Sequence, residues 1–292
     1  SKRSSSTATG NKIIPMIDIL LSTYNGEKYL SELLDSLLNQ SYSEWKLWIR
    51  DDGSSDSTVR ILDHYRRSYP NRINLIQSPV GNIGATKSFE ILLRQTLSEY
   101  IMFCDQDDIW LPDKIKITFE AFRNLEQHYP DKPLMVFTDL LLCDSDRHIL
   151  HSSFIRYQNM NPLAVHNPWS SMAMSVAPGC TMMINRKAVA VCLPIPAFLV
   201  HDHWIVNNIA FHGKCEFVDI PTICYRIHGD NCIGINNIDK KYLFSKIKNI
   251  LQTRTHYVKD MKTYPFHVNI IRVLSYKFKF NLYRLLGFRL YK

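Results

Sequence analysis

An α/β fold built around a mostly parallel central sheet is what three features of this 292-residue sequence predict. Short runs of branched apolar residues are each followed by a polar cluster, and the clusters are followed by helical stripes. This strand and helix alternation is the pattern that builds parallel sheets through right-handed crossovers. An apolar content of 46% over this length is enough to bury a sizeable core.

Residues 17–22 read as a buried strand, and 29–38 carry apolar side chains at 30, 33, 34, 37 and 38, one face of a helix. Residues 45–49 give a second strand, 58–65 a helix, 73–76 a third strand, 89–97 a helix and 100–104 a fourth strand. Pro112 suits the first turn of a further helix. The second half is less regular: 134–138 and 181–184 read as strands, 202–211 as a helix, and 217–226 as two short strands broken by Pro221. Residues 1–12 predict a disordered segment, and the absence of an initiator Met suggests a processed or truncated start. Residues 13–238 read as one domain ahead of a tail at 239–292.

The net charge of +8 is unevenly spread. Residues 239–292 hold thirteen Lys or Arg against Asp239 and Asp260, a net +11, while the rest holds 22 basic and 25 acidic residues, a net −3. Seven cysteines with no C-x-x-C pair predict reduced thiols and a cytoplasmic setting. Residues 157–185 contain no Asp, Glu, Lys or Arg, but Pro162, Pro168 and Pro178 interrupt them, so they read as loop and buried strand rather than a membrane span.

Four clusters carry the chemistry: Ser22 to Asn25, Asp51 to Ser54, Asp105 to Asp108 and His201 to Trp204. The first three fall at predicted carboxyl ends of strands, where open α/β sheets bind ligands. Asp105, Asp107 and Asp108 would repel one another strongly without a cation among them, so the pattern points to a divalent metal holding a diphosphate.

The segments LLSTYNGEKYLSELLDSLLNQSY, IRDDGSSDST, GNIGATKSF, YIMFCDQDDIWLPDK, GCTMMINR, HDHW and YRIHG, in this order, resemble inverting glycosyltransferases of family 2, in particular bacterial polysaccharide rhamnosyltransferases. The resemblance runs from about residue 17 to 234 and implies a glycosyltransferase-A fold, with a Rossmann-like central sheet, a nucleotide-sugar donor and a Mn2+ or Mg2+ ion. It also implies a catalytic domain over 13–238, with a nucleotide-binding half at about 13–110 and an acceptor half at about 111–238. It implies donor-binding roles for Thr23, Tyr24, Asp52, Asp105 and Gln106, with Asp52 accepting a hydrogen bond from a pyrimidine and Tyr24 stacking on it. It makes Asp107 the direct metal ligand, joined by Asp105 and by the late His228, and it makes Asp202 the general base toward an acceptor hydroxyl. His203 and Trp204 then face the acceptor, Arg226 pairs with the diphosphate, and Lys87 is a further donor contact.

Each residue also has a plainer reading. Asp51, Ser54 and Asp202 suit helix starts, and the Asp105 cluster suits a solvated turn ahead of a helix. Trp204 suits a core, His228 a structural histidine and Lys87 a solvated helix start. The implied reaction moves a sugar, L-rhamnose from dTDP-rhamnose by resemblance, to a hydroxyl of a glycan or lipid-linked acceptor in bacterial surface polysaccharide synthesis. UDP-hexose or UDP-N-acetylhexosamine donors are the alternative, and a nucleotidyltransferase would share the sheet-edge metal. A zinc hydrolase is disfavoured because His201 and His203 lie on different helical faces and no H-E-x-x-H occurs. A nucleic-acid-binding protein is disfavoured because the positive charge is confined to the tail. That tail, 239–292, reads as a basic helical extension that either packs on the body or meets an anionic membrane at the inner face of the cell. Arg272 and Lys279 project together on a helix, but Lys277 and Arg284 lie well round it.

Overall fold

The computed structural model describes residues 14–77, 81–227 and 260–291. Its first half runs β1 (Ile17–Thr23), α1 (Leu30–Leu38), β2 (Trp45–Asp51), α2 (Thr58–Ser68), β3 (Ile73–Leu75), α3 (Ala85–Gln95), β4 (Tyr100–Cys104), β5 (Ile109–Trp110) and α4 (Lys114–His128). The second runs β6 (Leu134–Cys143), β7 (Ile149–His151), α5 (Phe154–Tyr157), α6 (Pro168–Ala173), β8 (Met182–Asn185), α7 (Arg186–Cys192), α8 (His201–His212) and β9 (Lys214–Arg226), and the described tail contributes α9 (Ile270–Leu285).

All these strands join one sheet in the order β3-β2-β1-β4-β8-β6-β9-β5, with β7 on β6. The three strands β1, β2 and β4 are parallel, and their register sets Thr23 beside Asp51 and Leu21 beside Cys104. Three of the polar clusters therefore emerge side by side at one edge of the sheet. Beyond β4 the sheet becomes mixed: β8 runs antiparallel to both β4 and β6, and β9 runs parallel to β6.

The period of two along each strand separates two cores. Ile17, Ile19 and Leu21 of β1 face α1 and α4 with Leu33, Leu37, Phe119 and Phe122, whereas Leu20 faces the other side with Phe89 of α3 and Trp204 and Ile205 of α8. Asp18, buried within β1, is satisfied by Trp48 Nε1 at 2.9 Å and Ser98 N at 3.0 Å.

The structure corrects three expectations. Residues 214–226 form one strand, because Pro221 lies at a register shift where β9 skips two residues against Thr138 and Asp139 of β6, so the missing N–H breaks no ladder. The uncharged stretch 157–185 is largely short helix, with 3-10 turns at Pro162–His166 and Gly179–Thr181 flanking α6. Cys143 and Cys224, on neighbouring strands with Cα atoms 6.0 Å apart, form a disulfide rather than two thiols. Cys104, Cys180, Cys192 and Cys215 are buried thiols, and Cys232 lies outside the described residues. The expectations for residues 1–12 and for His228 also fall outside them.

The described part of the tail is fastened to the body. Tyr264 stacks on Trp204 with centroids 4.7 Å apart, Phe266 stacks on Phe211 at 3.8 Å, and Arg284 Nε donates to Asn159 O at 2.9 Å. Val273 is fully buried in a cluster with Met172, Met261 and Val268.

Gly213 joins α8 to β9 under tight constraint: a Cβ there would meet Pro133 O at 1.8 Å, a clash with backbone that no rotamer relieves. Gly213→Ala should destabilise the chain by about 1–3 kcal/mol, the usual cost of overpacking, seen as a lower urea midpoint at constant m. An unchanged midpoint would mean that the α8–β9 junction yields freely.

Candidate active site

The β1–α1 and β2–α2 loops are laced together by side-chain to backbone hydrogen bonds. Asn25 N donates to Ser54 Oγ at 2.9 Å, Gly26 N to Thr58 Oγ1 at 2.8 Å and Glu27 N to Asp56 Oδ2 at 3.0 Å. In return Ser55 N donates to Asn25 Oδ1 at 2.9 Å and Ser57 N to Glu27 Oε2 at 2.8 Å. Thr23, fully buried, donates through Oγ1 to Asp51 Oδ1 at 2.9 Å, and Asp51 also accepts from Ser54 N and Oγ. Asp51 thus closes its own turn.

Gln106 clamps the third loop onto the first. Its Oε1 accepts from Tyr24 N at 2.9 Å and its Nε2 donates to Tyr24 O at 3.0 Å. The approach needs Gly26, where a Cβ would stand 2.5 Å from Gln106 Oε1. The clamp leaves the Tyr24 ring half exposed, available to stack on a planar ligand.

Asp52 is buried beside the fully buried Arg50, whose Nη1 donates to Asp52 Oδ1 at 2.5 Å. Ile83 N and Gly84 N also donate to the carboxylate, at 2.9 and 2.7 Å, and Gly84 reaches this position with φ +84°, a conformation that favours glycine. Burial alone would raise this carboxyl, but the donors from Ile83, Arg50 and Gly84, with the Arg50 charge, hold it below the usual carboxylate range.

At the end of β4 the carboxylates crowd. Burial, then the charges of Asp107 and Asp202, push the Asp105 carboxyl up to about 7. Asp108 is buried, the Cys180 thiol is its one hydrogen-bonding neighbour among the described residues, and burial, then Asp105 and Asp107, raise it well above its ordinary value. Ligand-bearing atoms of Asp105, Asp108 and Cys180 lie within 4.8 Å of one another. Asp107 stands outside that set among the described residues, though its charge is felt at Asp105. A buried carboxylate met only by a thiol, beside a second carboxylate, fits a hard divalent cation such as Mn2+ or Mg2+. The soft Cys180 thiol adds little to such a site, and burial, then Asp108 and Asp105, keep it protonated.

Three residues that sequence reasoning did not single out flank this cluster: Cys180, Lys114 and Tyr225. Lys114 is fully buried, with Nζ 3.5 Å from Thr222 Oγ1 and 4.6 Å from the Trp110 ring centroid. Burial pushes its ammonium down to about 8, while Cys180, Cys104 and Asp108 pull it back up. A readable signal existed, since Lys114 shares the buried stripe of α4 with Ile115, Thr118, Phe119 and Phe122. Tyr225, on β9, is raised by burial and then by Asp108 and Asp105.

Asp202 stands in the first turn of α8, buried, and accepts from His203 N at 2.5 Å. Its charge reaches Asp105, so α8 and the end of β4 share one site. Gly179 allows this approach: a Cβ there would lie 3.0 Å from His201 Nε2 and 3.6 Å from Asp202 Cβ. His201 stacks on Phe89 at 4.2 Å and burial keeps it neutral. His203 is likewise lowered, by burial and then by Lys277 of the tail against the opposing pull of Asp202.

Like Thr23, Asp52 and Gln106, three further expected site residues have protein partners. Lys87 Nζ binds Glu90 Oε2 at 2.6 Å and Ile195 O at 2.7 Å, tying α3 to the loop before α8. Arg226 is buried on β9 and reaches Glu32 Oε2 at 3.1 Å, Ser145 O at 2.6 Å and Asp107 O at 3.3 Å, so it braces the acidic loop. Trp204 is buried under Tyr264 and donates through Nε1 to Cys192 O at 2.6 Å, which makes it part of the packing between body and tail.

The family model described as glycosyl transferase family 2 matches residues 18–191, more than half the chain. A dTDP-rhamnosyl transferase RfbG of Shigella flexneri is 28% identical over 231 residues, covering 74% of this chain and 74% of that protein. The structure of Staphylococcus aureus TarS 1-349 in complex with UDP aligns with TM-score 0.57 at 17% identity, over 94% of this chain and 72% of that one. A mannosyltransferase from Pyrobaculum calidifontis in complex with GDP-Man and Mn2+ aligns with TM-score 0.61 at 13% identity, over 98% of this chain and 76% of that one.

Asp52→Asn should remove the countercharge from buried Arg50 and cost roughly 3–5 kcal/mol at neutral pH, the range for breaking a buried pair from one side. Because the folded carboxyl titrates below the unfolded value of about 3.9, the stabilisation is present above that value and fades as pH falls through the folded one. The gap between parent and variant, read from denaturant midpoints, should therefore narrow only below about pH 4. A gap that stays constant into acid would contradict the pairing.

Proposed function

The chain belongs to glycosyltransferase family 2, with a glycosyltransferase-A fold, and on that premise we propose that it is an inverting, divalent-metal-dependent transferase of bacterial surface polysaccharide synthesis. The donor we infer is dTDP-L-rhamnose, supported by the relative named as a dTDP-rhamnosyl transferase. A UDP-hexose or UDP-N-acetylhexosamine is the second reading, since the TarS neighbour is described in complex with UDP. The acceptor is a hydroxyl of a glycan or lipid-linked oligosaccharide, met at the cytoplasmic face of the cell membrane. We assign the nucleotide to the half at about 13–110, the acceptor to the half at about 111–238, and the basic extension to 239–292.

The observation that carries this reading is the convergence of the β4 acidic cluster and Asp202 of α8 on the turn before β8. There Cys180 lies within 4.8 Å of ligand atoms of Asp105 and Asp108, and a Cβ on neighbouring Gly179 would lie 3.6 Å from Asp202 Cβ. Thr23, Tyr24 and Asp52 line the end of the sheet where the base is held, with Tyr24 as the stacking surface and Gln106 fixing the loop. By family resemblance we assign the ion to Asp107 and Asp105, with Asp108, whose ligand atom lies within 4.8 Å of that of Asp105, as a further ligand; when bound the ion would supply positive charge against the leaving diphosphate. Asp202 accepts the proton of the acceptor hydroxyl as its oxygen attacks the anomeric carbon. The bond from that carbon to the phosphate oxygen breaks, and its electron pair leaves with the nucleotide diphosphate. A single in-line displacement of this kind inverts the anomeric centre. His203, next to the base, faces the acceptor side, while Arg226 and Lys87 contribute by holding the acidic loop and the approach to α8 in place.

Asp202→Asn keeps the shape of the site but cannot accept a proton. It should leave donor affinity intact and lower kcat by about two orders of magnitude or more. A fall of less than tenfold with chemistry rate-limiting would remove Asp202 from the base role.

Asp107→Ala should abolish transfer and the divalent-dependent part of nucleotide binding, measured by titration calorimetry with Mn2+ and with chelator. Unchanged Mn2+-dependent affinity for dTDP or UDP would show that the ion is held elsewhere, with Asp105 and Asp108 the next candidates.

A further inference from the structure

The tail helix α9 has two faces, and only one of them serves the fold. Its inward face carries Val273, Phe280 and Asn281, all buried, and Arg284, which donates to Asn159. Lys277 lies on that side too, near enough to His203 to lower its ionisation. The two charges that blur the helix's amphipathic pattern in sequence are thus the two that turn toward the body.

The outward face is continuous. Ile271, Phe278 and Leu286 are 81%, 53% and 59% exposed, and Arg272, Ser275 and Lys279 are exposed with them. At 100° per residue, Phe278, Ile271, Leu282, Ser275, Leu286, Lys279, Arg272 and Tyr283 fall in that order across an arc of about 140°. Large apolar side chains fill its centre and one flank, and Lys279, Arg272 and Tyr283 border the other. Phe288, 58% exposed, and exposed Arg289 continue the surface past the helix end. Residues 261–291 contain six Lys or Arg and no acidic residue.

We propose that this outward face of α9 docks on an anionic lipid bilayer, with Ile271, Phe278, Leu286 and Phe288 entering the headgroup boundary and Arg272, Lys279 and Arg289 meeting lipid phosphates. Exposed aromatic and aliphatic side chains beside exposed cations match an interfacial helix, and no helix of the described residues is long and apolar enough to cross a membrane. The tail is clamped to the catalytic body on both sides of this helix. Leu290 N donates to Asn159 Oδ1 and Asn159 Nδ2 to Phe288 O, both at 2.9 Å, while Asn207 of α8 donates to Tyr264 OH at 2.8 Å. Docking through α9 therefore holds α8, and Asp202 with it, at a set height above the lipid surface. The inference rests on the preceding reading for its purpose, delivery of a lipid-linked acceptor, and on this surface alone for the binding.

The test is co-sedimentation of the full chain with phosphatidylcholine vesicles, with and without phosphatidylglycerol, for the parent, Phe278→Ser/Leu286→Ser and Arg272→Gln/Lys279→Gln. The parent should bind the phosphatidylglycerol vesicles at low salt and release from them as salt rises. The charge variant should bind about thirtyfold more weakly, at on the order of 1 kcal/mol per basic residue, and the apolar variant at least tenfold more weakly. Both variants should keep the parent's thermal midpoint and its response to nucleotide sugar with Mn2+, since they touch only exposed positions. Equal sedimentation of parent and variants, or no binding to either vesicle, would overturn the docking. So would a concentration-dependent dimer that the apolar variant abolishes without any vesicle binding. Failure of every nucleotide sugar to bind would count against the transferase reading and leave the vesicle result to stand by itself.

Discussion

Electrostatic crowding at the end of β4 is the constraint on which the rest of the site depends. Asp105, Asp107 and Asp108 follow a fully buried strand whose register with β1 fixes where they emerge, so they cannot drift apart into solvent. Burial, and then their mutual repulsion, raise Asp105 and Asp108, and α8 adds a further carboxylate from Asp202. Such an arrangement persists only if other interactions hold it. Here the Gln106 clamp on Tyr24, the Arg226 brace on Asp107 O and the buried ammonium of Lys114 supply them. On the proposed reading, a donor diphosphate with its cation would replace repulsion by attraction at the same place, which would couple the acid cluster to the strand ends of β1 and β2.

The two halves of the chain differ in how their sequence reads because they bury their elements differently. In the first half, β1, β2 and β4 are short apolar strands and α1, α2 and α3 each turn one face to the sheet, so period and run length identify them within a few residues. In α8, by contrast, residues 204 to 210 are buried all round, and its position follows from the His-Asp-His-Trp cluster more than from any stripe. Pro221 misled in β9 because a register shift, which depends on the partner strand, absorbs it. The Cys143–Cys224 pairing likewise depends on two strands 81 residues apart coming together, and it removes the argument from cysteine chemistry to compartment.

At the site, the sequence motifs pointed to Asp105 and Asp202, and the fold brings their charges together. The motifs contain the second layer of residues without marking their roles. Lys114, Cys180 and Tyr225 acquire their place only when α4, the turn before β8 and β9 converge on the acidic loop. Arg226, Lys87 and Trp204 illustrate the reverse: each bears a side chain suited to a ligand, and each is held by protein partners that lie far away in sequence.

The central claim, that one end of this sheet holds a nucleotide-diphosphate sugar through a divalent ion, is tested most directly by a thermal-shift screen of nucleotide sugars with Mn2+ and with chelator. The account predicts that one donor raises the midpoint by mass action, by an amount that grows with the logarithm of its concentration above Kd, and that chelation removes most of the shift. A panel containing dTDP-rhamnose, UDP-hexoses, UDP-N-acetylhexosamines and GDP-mannose that leaves the midpoint unmoved at millimolar concentration, with Mn2+ present, would contradict it.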